Sequence, residues 1–254
     1  MDRVRIYIIS AALLSALLFS LFPLLGAEGY FGTLSNLIIV LLGFLCAGTL
    51  YLSHRALIGK EPEAASGFVF LFASVLLWAV AEGIWLYSAA ISAEEIPYPS
   101  IADLFWLAGY APFVYALYLF FRSIKFQSKA AIIAIVTYIV LGALLGYSLK
   151  DAIIDSEAEP IANIVSVAYI LGDLILLALA IPLILAFFSR PLGLSWLIIG
   201  LSLVAIAIGD VLFLQLTASG EYSDSHILNL FYMLSYLWLG TGALMGAAER
   251  KKIR

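Results

Sequence analysis

The chain has 254 residues, of which 64% are hydrophobic and 12% are charged, with a mean hydropathy of +1.09 and a formal net charge of -4. A soluble domain is roughly half apolar and about a quarter charged, so this composition excludes an ordinary soluble fold and predicts a polytopic membrane protein. The single cysteine, Cys46, excludes a disulfide within the chain, and the two histidines argue against a zinc or haem site.

Eight apolar segments follow one another along the chain. Each is near or above the roughly 20 residues with which a helix crosses a bilayer, and runs of this length exclude the short strands of a membrane barrel. We therefore predict an all-α, single integral membrane domain over residues 1–254. Its eight transmembrane helices are expected at about 5–26, 35–54, 67–91, 101–122, 129–149, 161–188, 193–217 and 226–247.

Two stretches of the chain resemble each other and indicate an internal duplication. Residues 83–110 and 209–236 align without a gap at an offset of 126, with seven identities in 28 positions. At the same offset the first four apolar segments fall on the last four. We therefore predict two tandem four-helix repeats, at about 5–122 and 129–247. Because each repeat has an even number of helices, a twofold axis along the membrane normal is expected to relate them.

The basic residues predict the topology. Twelve of the thirteen lysines and arginines fall at the N-terminus, in the even-numbered loops or at the C-terminus, and only Lys150 falls on the other side. Cytoplasmic loops of membrane proteins are enriched in these residues. Both termini are therefore expected to be cytoplasmic, in a multi-pass protein of the cell membrane, and the acidic loops are expected to face outward.

Three acidic residues interrupt the apolar segments: Glu82 in the third, Asp173 in the sixth and Asp210 in the seventh. An ionisable group in a membrane helix costs at least about 2.5 kcal/mol, so it usually faces the protein interior. Two interpretations stay open, a polar pocket for a ligand, cation or proton, and hydrogen bonding between helices. We expect at least two of the acids to border one cavity in the outer half of the bundle.

The repeat alignment does not superpose these acids. Asp210 aligns with Ile84, and Glu82 aligns with Ile208. Two helical positions correspond to about 200° of rotation, so Glu82 and Asp210 are expected to point to different sides of their helices.

Asp103 and the aromatic residues around it have a structural interpretation beside the functional one. Ser100 and Asp103 have the spacing of a capping box, and this interpretation is favoured for Asp103. Six aromatic residues have two explanations, of which an interfacial belt is favoured and a pocket lining is the alternative. They are Trp85, Tyr87, Tyr98, Trp106, Tyr110 and Tyr115. The candidate ligand-binding residues are Glu82, Trp85, Tyr98, Asp103, Trp106, Asp173 and Asp210.

No catalytic motif accompanies these residues. The sequence contains no nucleophile elbow, no HExxH, no phosphate-binding loop and no glycine-rich dinucleotide fingerprint. Its basic residues lie in short loops, which does not suggest a nucleic-acid-binding surface. We therefore assign no catalytic or metal-binding residue, expect no cofactor and no nucleic-acid partner, and lean against an enzyme.

The stretch Tyr98-Pro99-Ser100-Ile101-Ala102-Asp103, followed by an aromatic-rich helix through Gly109-Tyr110, resembles a known family. It is similar to the multi-helix membrane sensory region found ahead of diguanylate cyclase, phosphodiesterase and histidine kinase output domains. That family also has an aspartate in a later helix, matched by Asp173, and then a Gly-Asp, matched by Gly209-Asp210. The resemblance covers about residues 67–247 and implies a sensory role with a cytoplasmic signalling partner. No output-domain sequence follows, so a stand-alone relative and the membrane part of a longer protein both stay open.

Two functions of different classes are compatible with these features. The first, favoured by the motif, is a sensory or receptor-like module that binds a small or lipophilic ligand from the outer side. The second is an eight-helix transporter or lipid-modifying membrane enzyme that uses Glu82, Asp173 and Asp210 for proton relay or hydrolysis. The lipid bilayer is the expected surrounding in both cases.

The predicted topology can be tested by labelling cysteines introduced at Ser92 and Lys252 with a reagent that does not cross the membrane. Because the basic residues place position 252 inside and position 92 outside, we expect external reagent to label S92C and not K252C in intact cells. Labelling of position 252 without labelling of position 92 would reverse the topology.

Overall fold

The part of the chain that the structure describes forms a bundle of eight α-helices. The computed structural model describes residues 3–25, 30–91, 97–122, 127–148, 160–188 and 192–250, and no strand occurs among them. Every helix is long and apolar enough to cross a membrane, which confirms the all-α class and the eight predicted segments. The helices are α1 (Arg3–Leu25), α2 (Tyr30–Leu57), α3 (Pro62–Ile91), α4 (Ile101–Arg122), α5 (Gln127–Ser148), α6 (Pro160–Phe187), α7 (Gly193–Ser219) and α8 (Asn229–Arg250). Positions 92, 150 and 252 lie outside the described residues.

The observed helix ends differ from the predicted ones where polar residues form the first turn. Helix α3 begins at Pro62, five residues earlier than predicted, with Glu63 in its first turn. Proline and an acidic residue both favour a helix start, although they lower the hydropathy of the segment. Helix α8 begins three residues later than predicted, because residues 224–228 form turns in which the Leu228 amide donates to His226 Nδ1 at 3.2 Å.

Helix α8 is the most enclosed helix of the bundle, and it packs against α1, α2 and α7. Helix α3 packs against α2 and α4, and α6 packs against α4, α5 and α7. Helices α1 and α5 lie at the periphery and expose large aliphatic side chains such as Leu13 and Ile139. Such surfaces are stable against hydrocarbon and not against water.

One end of the bundle, which we name the packed end, contains the turn between α2 and α3 and the last turn of α8. The Arg250 guanidinium binds the Glu61 carboxylate there at 2.5 Å. Further into the bundle, aromatic rings of α3, α4, α6 and α7 contact one another with centroid distances of 5.1–5.7 Å. We name this group the inner aromatic cluster; it consists of Phe68, Phe120, Phe187 and Trp196.

The seam between α2 and α8 depends on a small residue. A Cβ atom at Gly240 would lie 2.7 Å from Thr49 Oγ1, and that hydroxyl donates to the Cys46 carbonyl at 2.7 Å. Close backbone approach at small residues is a common way for membrane helices to associate. Gly48, on the same α2 helix, is exposed and has no atom near the corresponding position.

Replacement of Gly240 by alanine is therefore expected to destabilise the bundle by about 1–3 kcal/mol, because the added methyl overpacks the seam. Gly48→Ala is the matched control and should be neutral or slightly stabilising, since alanine is the better helix former. Thermal unfolding of the two detergent-purified variants measures the difference. Equal unfolding temperatures for both variants would show that the seam is not tight.

Candidate functional site

A cavity of about 70 Å³ lies in the half of the bundle opposite the packed end. Nine aromatic residues and two acidic residues line it, together with two asparagines, a serine and aliphatic side chains. The aromatic lining consists of Trp78, Trp85, Trp106, Tyr110, Tyr169, Phe213, Tyr222, Tyr232 and Tyr236. The acids are Glu82 of α3 and Asp210 of α7, so two of the three predicted acids border one cavity.

The cavity separates helices that are not closely packed. No closely packed helix pair joins α3 or α4 to α7 or α8 among the described residues. Side chains bridge this gap instead. The Trp85 ring of α3 meets the Phe213 ring of α7 at a centroid distance of 6.1 Å, and tyrosine hydroxyls reach carboxyl groups on the opposite helices. The acids therefore hold the two sides of the cavity together.

Glu82 receives two hydrogen bonds on one carboxyl oxygen. Trp106 Nε1 of α4 donates to Glu82 Oε1 at 3.3 Å, and the Tyr236 hydroxyl of α8 donates to the same atom at 3.0 Å. Because bilayer hydrocarbon offers no donors, a carboxyl group at this depth needs such partners from the protein.

Asp210 and Asp173 form a second acidic group. The Tyr232 hydroxyl of α8 donates to Asp210 Oδ1 at 2.8 Å, and the Tyr110 hydroxyl of α4 lies 3.2 Å from Asp210 Oδ2 and 2.7 Å from Asp173 Oδ1. Both aspartates therefore approach the same Tyr110 hydroxyl. Asp173 is 3% exposed and lies behind Tyr110, outside the cavity lining.

Each of these two aspartates follows a glycine that makes room for a tyrosine ring. A Cβ atom at Gly172 would lie 2.5 Å from the Tyr110 ring, and one at Gly209 would lie 2.8 Å from the Tyr232 ring. The glycine makes room for the ring, and the following aspartate accepts a hydrogen bond from the tyrosine hydroxyl, in Gly172-Asp173 as in Gly209-Asp210. The Gly-Asp dipeptides therefore have a steric reason beside their polarity.

Asp103 caps α4 as the sequence predicts, and it has a further partner. The Ser100 amide donates to Asp103 Oδ2 at 2.6 Å, while Ser100 Oγ accepts from the Ala102 amide at 3.2 Å. The Tyr169 hydroxyl of α6 donates to Asp103 Oδ1 at 2.7 Å. Asp103 is 4% exposed and does not line the cavity, so its position indicates a structural role.

Tyr98 joins the segment before α4 to α6, and it also lies outside the cavity lining. Its hydroxyl is 2.9 Å from Ser166 Oγ. Burial raises the pKa of Tyr98 to about 12, so the hydroxyl keeps its proton at neutral pH and can act as a donor.

The loop of residues 220–228 covers part of the cavity. It leaves α7 at Gly220, whose positive φ of 72° ends the helix in a left-handed conformation. The Asp224 carboxylate in this loop accepts from Trp85 Nε1 and from the Tyr222 hydroxyl, both at 3.1 Å to Oδ1. Burial, and then the neighbouring Asp224 charge, raise the pKa of Tyr222 well above its usual value. Asp224 thus ties the loop to α3.

Of the seven candidate ligand-binding residues, Glu82, Trp85, Trp106 and Asp210 line the cavity, and Tyr98, Asp103 and Asp173 do not. Trp85, Trp106 and Tyr110 line the cavity, as the pocket-lining alternative requires. The belt interpretation remains suitable for Tyr87 and Tyr115, which are 65% and 45% exposed. Glu82 and Asp210 border the same cavity although the repeat alignment places them two positions apart.

Sequence reasoning missed several lining residues, notably Asn36, Trp78, Tyr222, Tyr232 and Tyr236. A signal for two of them was present. At the offset of 126, Tyr232 and Tyr236 are the equivalents of Trp106 and Tyr110. Asn36 and Trp78 have no comparable signal, since one polar or aromatic residue in an apolar segment identifies no cavity.

No group of three His, Cys, Asp or Glu side chains in the described part of the chain could hold a metal ion. No protein-family model, curated protein or solved structure matches this chain. The function is therefore inferred from the site itself.

Asp210 gives a direct test of how the acidic group is held. Asp210→Asn should unfold at nearly the original temperature, because the amide oxygen can still accept from Tyr232. Asp210→Leu leaves the Tyr232 hydroxyl without its acceptor, which costs about 1–3 kcal/mol for a buried donor. Thermal unfolding of both variants in detergent is the measurement, with the exposed Glu63→Leu as control. A leucine variant as stable as the asparagine variant would contradict the assigned hydrogen bonds.

Proposed function

We propose that the chain is a sensory or receptor-like membrane module that binds a small ligand in the cavity between α3, α4, α7 and α8. The observation that carries this proposal is the cavity itself, in which two acids and nine aromatic rings converge. A few precisely placed polar groups in a largely apolar concave site are typical of small-molecule binding. Pure structural bonding between helices would leave no such space.

The packing beyond the cavity supports a binding module over a transporter. The inner aromatic cluster lies between the cavity and the packed end, and Phe68, Phe120 and Trp196 within it are at most 4% exposed. Leu50, Leu57 and Leu71 are buried to at least 99% in the same part of the bundle. A transported solute would need a polar path through this region.

Helix α8 connects the cavity to the packed end. Tyr232 and Tyr236 near its start line the cavity, and Arg250 in its last turn binds Glu61. A ligand that changes the contacts of Tyr236 would therefore act on the same rigid helix that ends beside the predicted cytoplasmic surface. A helix that lines the cavity near its start and ends beside the predicted cytoplasmic surface is a suitable element for signal transmission to a cytoplasmic partner.

The internal duplication belongs to the proposal and is supported by the hydrogen bonds of the site. Trp106 and its equivalent Tyr232 each donate to the acid of their own repeat, Glu82 and Asp210. Tyr110 and its equivalent Tyr236 each reach the acid of the other repeat. This crosswise pattern is what a twofold relation between the repeats would produce.

Helix neighbours support the same relation in part. The pairs α2–α3, α3–α4 and α2–α8 correspond to α6–α7, α7–α8 and α4–α6, and all six are closely packed. Helices α1 and α5 depart from it, since α1 packs against α8 and α5 packs against α6. We propose cytoplasmic termini in the cell membrane, with the cavity in the outer half, from the distribution of basic residues.

The second candidate is a transporter or lipid-modifying enzyme that uses the intramembrane carboxyl groups. The observation that favours it is the approach of Asp173 and Asp210 to the same Tyr110 hydroxyl, since neighbouring proton-carrying groups are the starting point of a relay.

The two candidates are separated by measuring proton flux and ligand response on the same preparation. The measurement uses proteoliposomes loaded with a pH-sensitive dye under an imposed pH gradient. If the chain is a binding module, the unmodified protein and the Asp173→Asn variant should show the same proton flux. In nanodiscs, a screen of small amines, alcohols and lipophilic compounds should change the tryptophan fluorescence, because three of the five tryptophans line the cavity.

That fluorescence response should disappear in Glu82→Leu and remain in Glu63→Leu, which changes an exposed acid at the packed end of the same helix. A flux that Asp173→Asn abolishes, together with no fluorescence response, would favour the transporter and contradict the proposal.

A further inference from the structure

We infer that the ligand of this cavity is a small organic cation, an ammonium group attached to a group with an oxygen acceptor. This inference rests on the proposed binding function and adds the chemical class of the ligand. Three properties of the lining carry it: its donors are already used, its aromatic rings surround the space at several inclinations, and its charged groups are acids.

The lining has almost no hydrogen-bond donor left for a ligand. Eleven of the described lining residues have a side-chain N–H or O–H group besides the two acids, and ten of them donate to acceptors within the protein. All three indole N–H groups are included: Trp78 donates to the Trp106 carbonyl, Trp85 to Asp224 and Trp106 to Glu82. A ligand therefore meets acceptors, and it must itself supply donors or positive charge.

The aromatic rings that line the cavity are inclined to one another at several angles. Trp85 is tilted by 49° to Trp106 and by 70–79° to Tyr222 and Phe213, with centroid distances of 5.8–6.3 Å. Trp78 and Tyr169 are each inclined by about 70° to Tyr110. Inclined aromatic faces around one small space are the arrangement that recognises ammonium groups, with tryptophan the most favourable ring.

The charged groups of the lining have one sign. Glu82 and Asp210 are acidic, and no described lining residue is Lys, Arg or His. Neither acid has an ion pair with another described residue. Carboxyl groups buried without a cationic partner attract a cation and disfavour an anion. The lining therefore discriminates by charge.

Asn36 is the lining residue whose N–H donor is not used within the described part of the protein. Its side chain is 96% buried, it lines the cavity, and its Nδ2 atom has no hydrogen-bond partner among the described residues. A buried amide donor without an acceptor destabilises the protein. An oxygen on the ligand would satisfy it, which is why we infer an oxygen acceptor beside the ammonium group.

The test compares choline with 3,3-dimethylbutan-1-ol, in which carbon replaces the charged nitrogen at nearly the same shape. The full chain in nanodiscs is titrated with each compound at constant ionic strength, and tryptophan fluorescence and unfolding temperature are recorded. Choline should bind at least about tenfold more tightly than the uncharged compound. Glu82→Gln should weaken choline binding about tenfold and leave 3,3-dimethylbutan-1-ol unchanged, whereas Glu63→Gln should change neither.

Asn36 is tested separately with tetramethylammonium, which has the charge and no oxygen. Asn36→Leu should weaken choline binding about fivefold or more and leave tetramethylammonium binding unchanged, because a hydrogen bond is worth about 1 kcal/mol. Equal loss for both cations would contradict the acceptor part of the inference.

The remaining outcomes of these titrations also decide whether the ligand is a small organic cation. Equal binding of choline and its uncharged counterpart overturns the cation class, while the proposed binding function stands. A Glu82-dependent response to sodium chloride without a response to choline identifies a monatomic cation and overturns it as well. No response to choline at about 50 mM, combined with a response to neutral compounds of the screen, rejects the cation and keeps the binding module. If no compound changes the tryptophan fluorescence or the unfolding temperature, both the cation class and the proposed binding function are rejected.

Discussion

Carboxyl groups placed in a membrane-spanning bundle need hydrogen-bond donors that neither lipid nor bulk water supplies, and the cavity half of this protein is arranged around that need. Glu82, Asp173 and Asp210 obtain theirs from Tyr110, Tyr232, Tyr236 and Trp106. The donors lie on α4 and α8 and the acceptors on α3, α6 and α7, so satisfying the acids also fixes the distances between helices. Because acids without donors would destabilise the bundle, their hydrogen bonds favour one specific arrangement of the helices.

The two ends of the bundle solve the packing problem differently. At the packed end, large rings and leucines fill the interior, and the small residue Gly240 allows α8 to approach α2 closely. At the cavity end, rings are held apart because their N–H and O–H groups point to specific acceptors. These rings surround the cavity at several inclinations. A site for a ligand follows from how the acids are satisfied, and it needs no additional element.

The sequence predicted the parts of this arrangement that follow from local chemistry. Segment length and hydropathy gave eight helices, and the spacing of Ser100 and Asp103 gave the cap of α4. The interior position of the acids followed from the cost of exposing them to lipid. Hydropathy could not identify the hydrogen-bond partner of each acid. A tyrosine in the first turns of a membrane helix fits an interfacial belt and a buried site equally well. Tyr236 bonds Glu82 across 154 positions of sequence, and only tertiary packing decides such a contact.

The proposed duplication contained part of the missing information. The offset of 126 makes Tyr232 and Tyr236 equivalent to Trp106 and Tyr110, and all four line the cavity. The same alignment was misleading for the acids. It placed Glu82 and Asp210 two positions apart, although both accept from equivalent donors. Residues of equivalent role therefore need not occupy aligned positions, because a longer side chain can reach the same site from another point on the helix.

The central claim is that aromatic donors from one side of the cavity hold the acids of the other side, and a double-mutant cycle on Glu82 and Tyr236 tests it most directly. Glu82→Leu, Tyr236→Phe and the double variant are compared with the unmodified protein by reversible unfolding in mixed micelles. The account predicts a coupling free energy of about 0.5–2 kcal/mol, since each single change removes the same hydrogen bond. Additive effects, within about 0.3 kcal/mol, would contradict it.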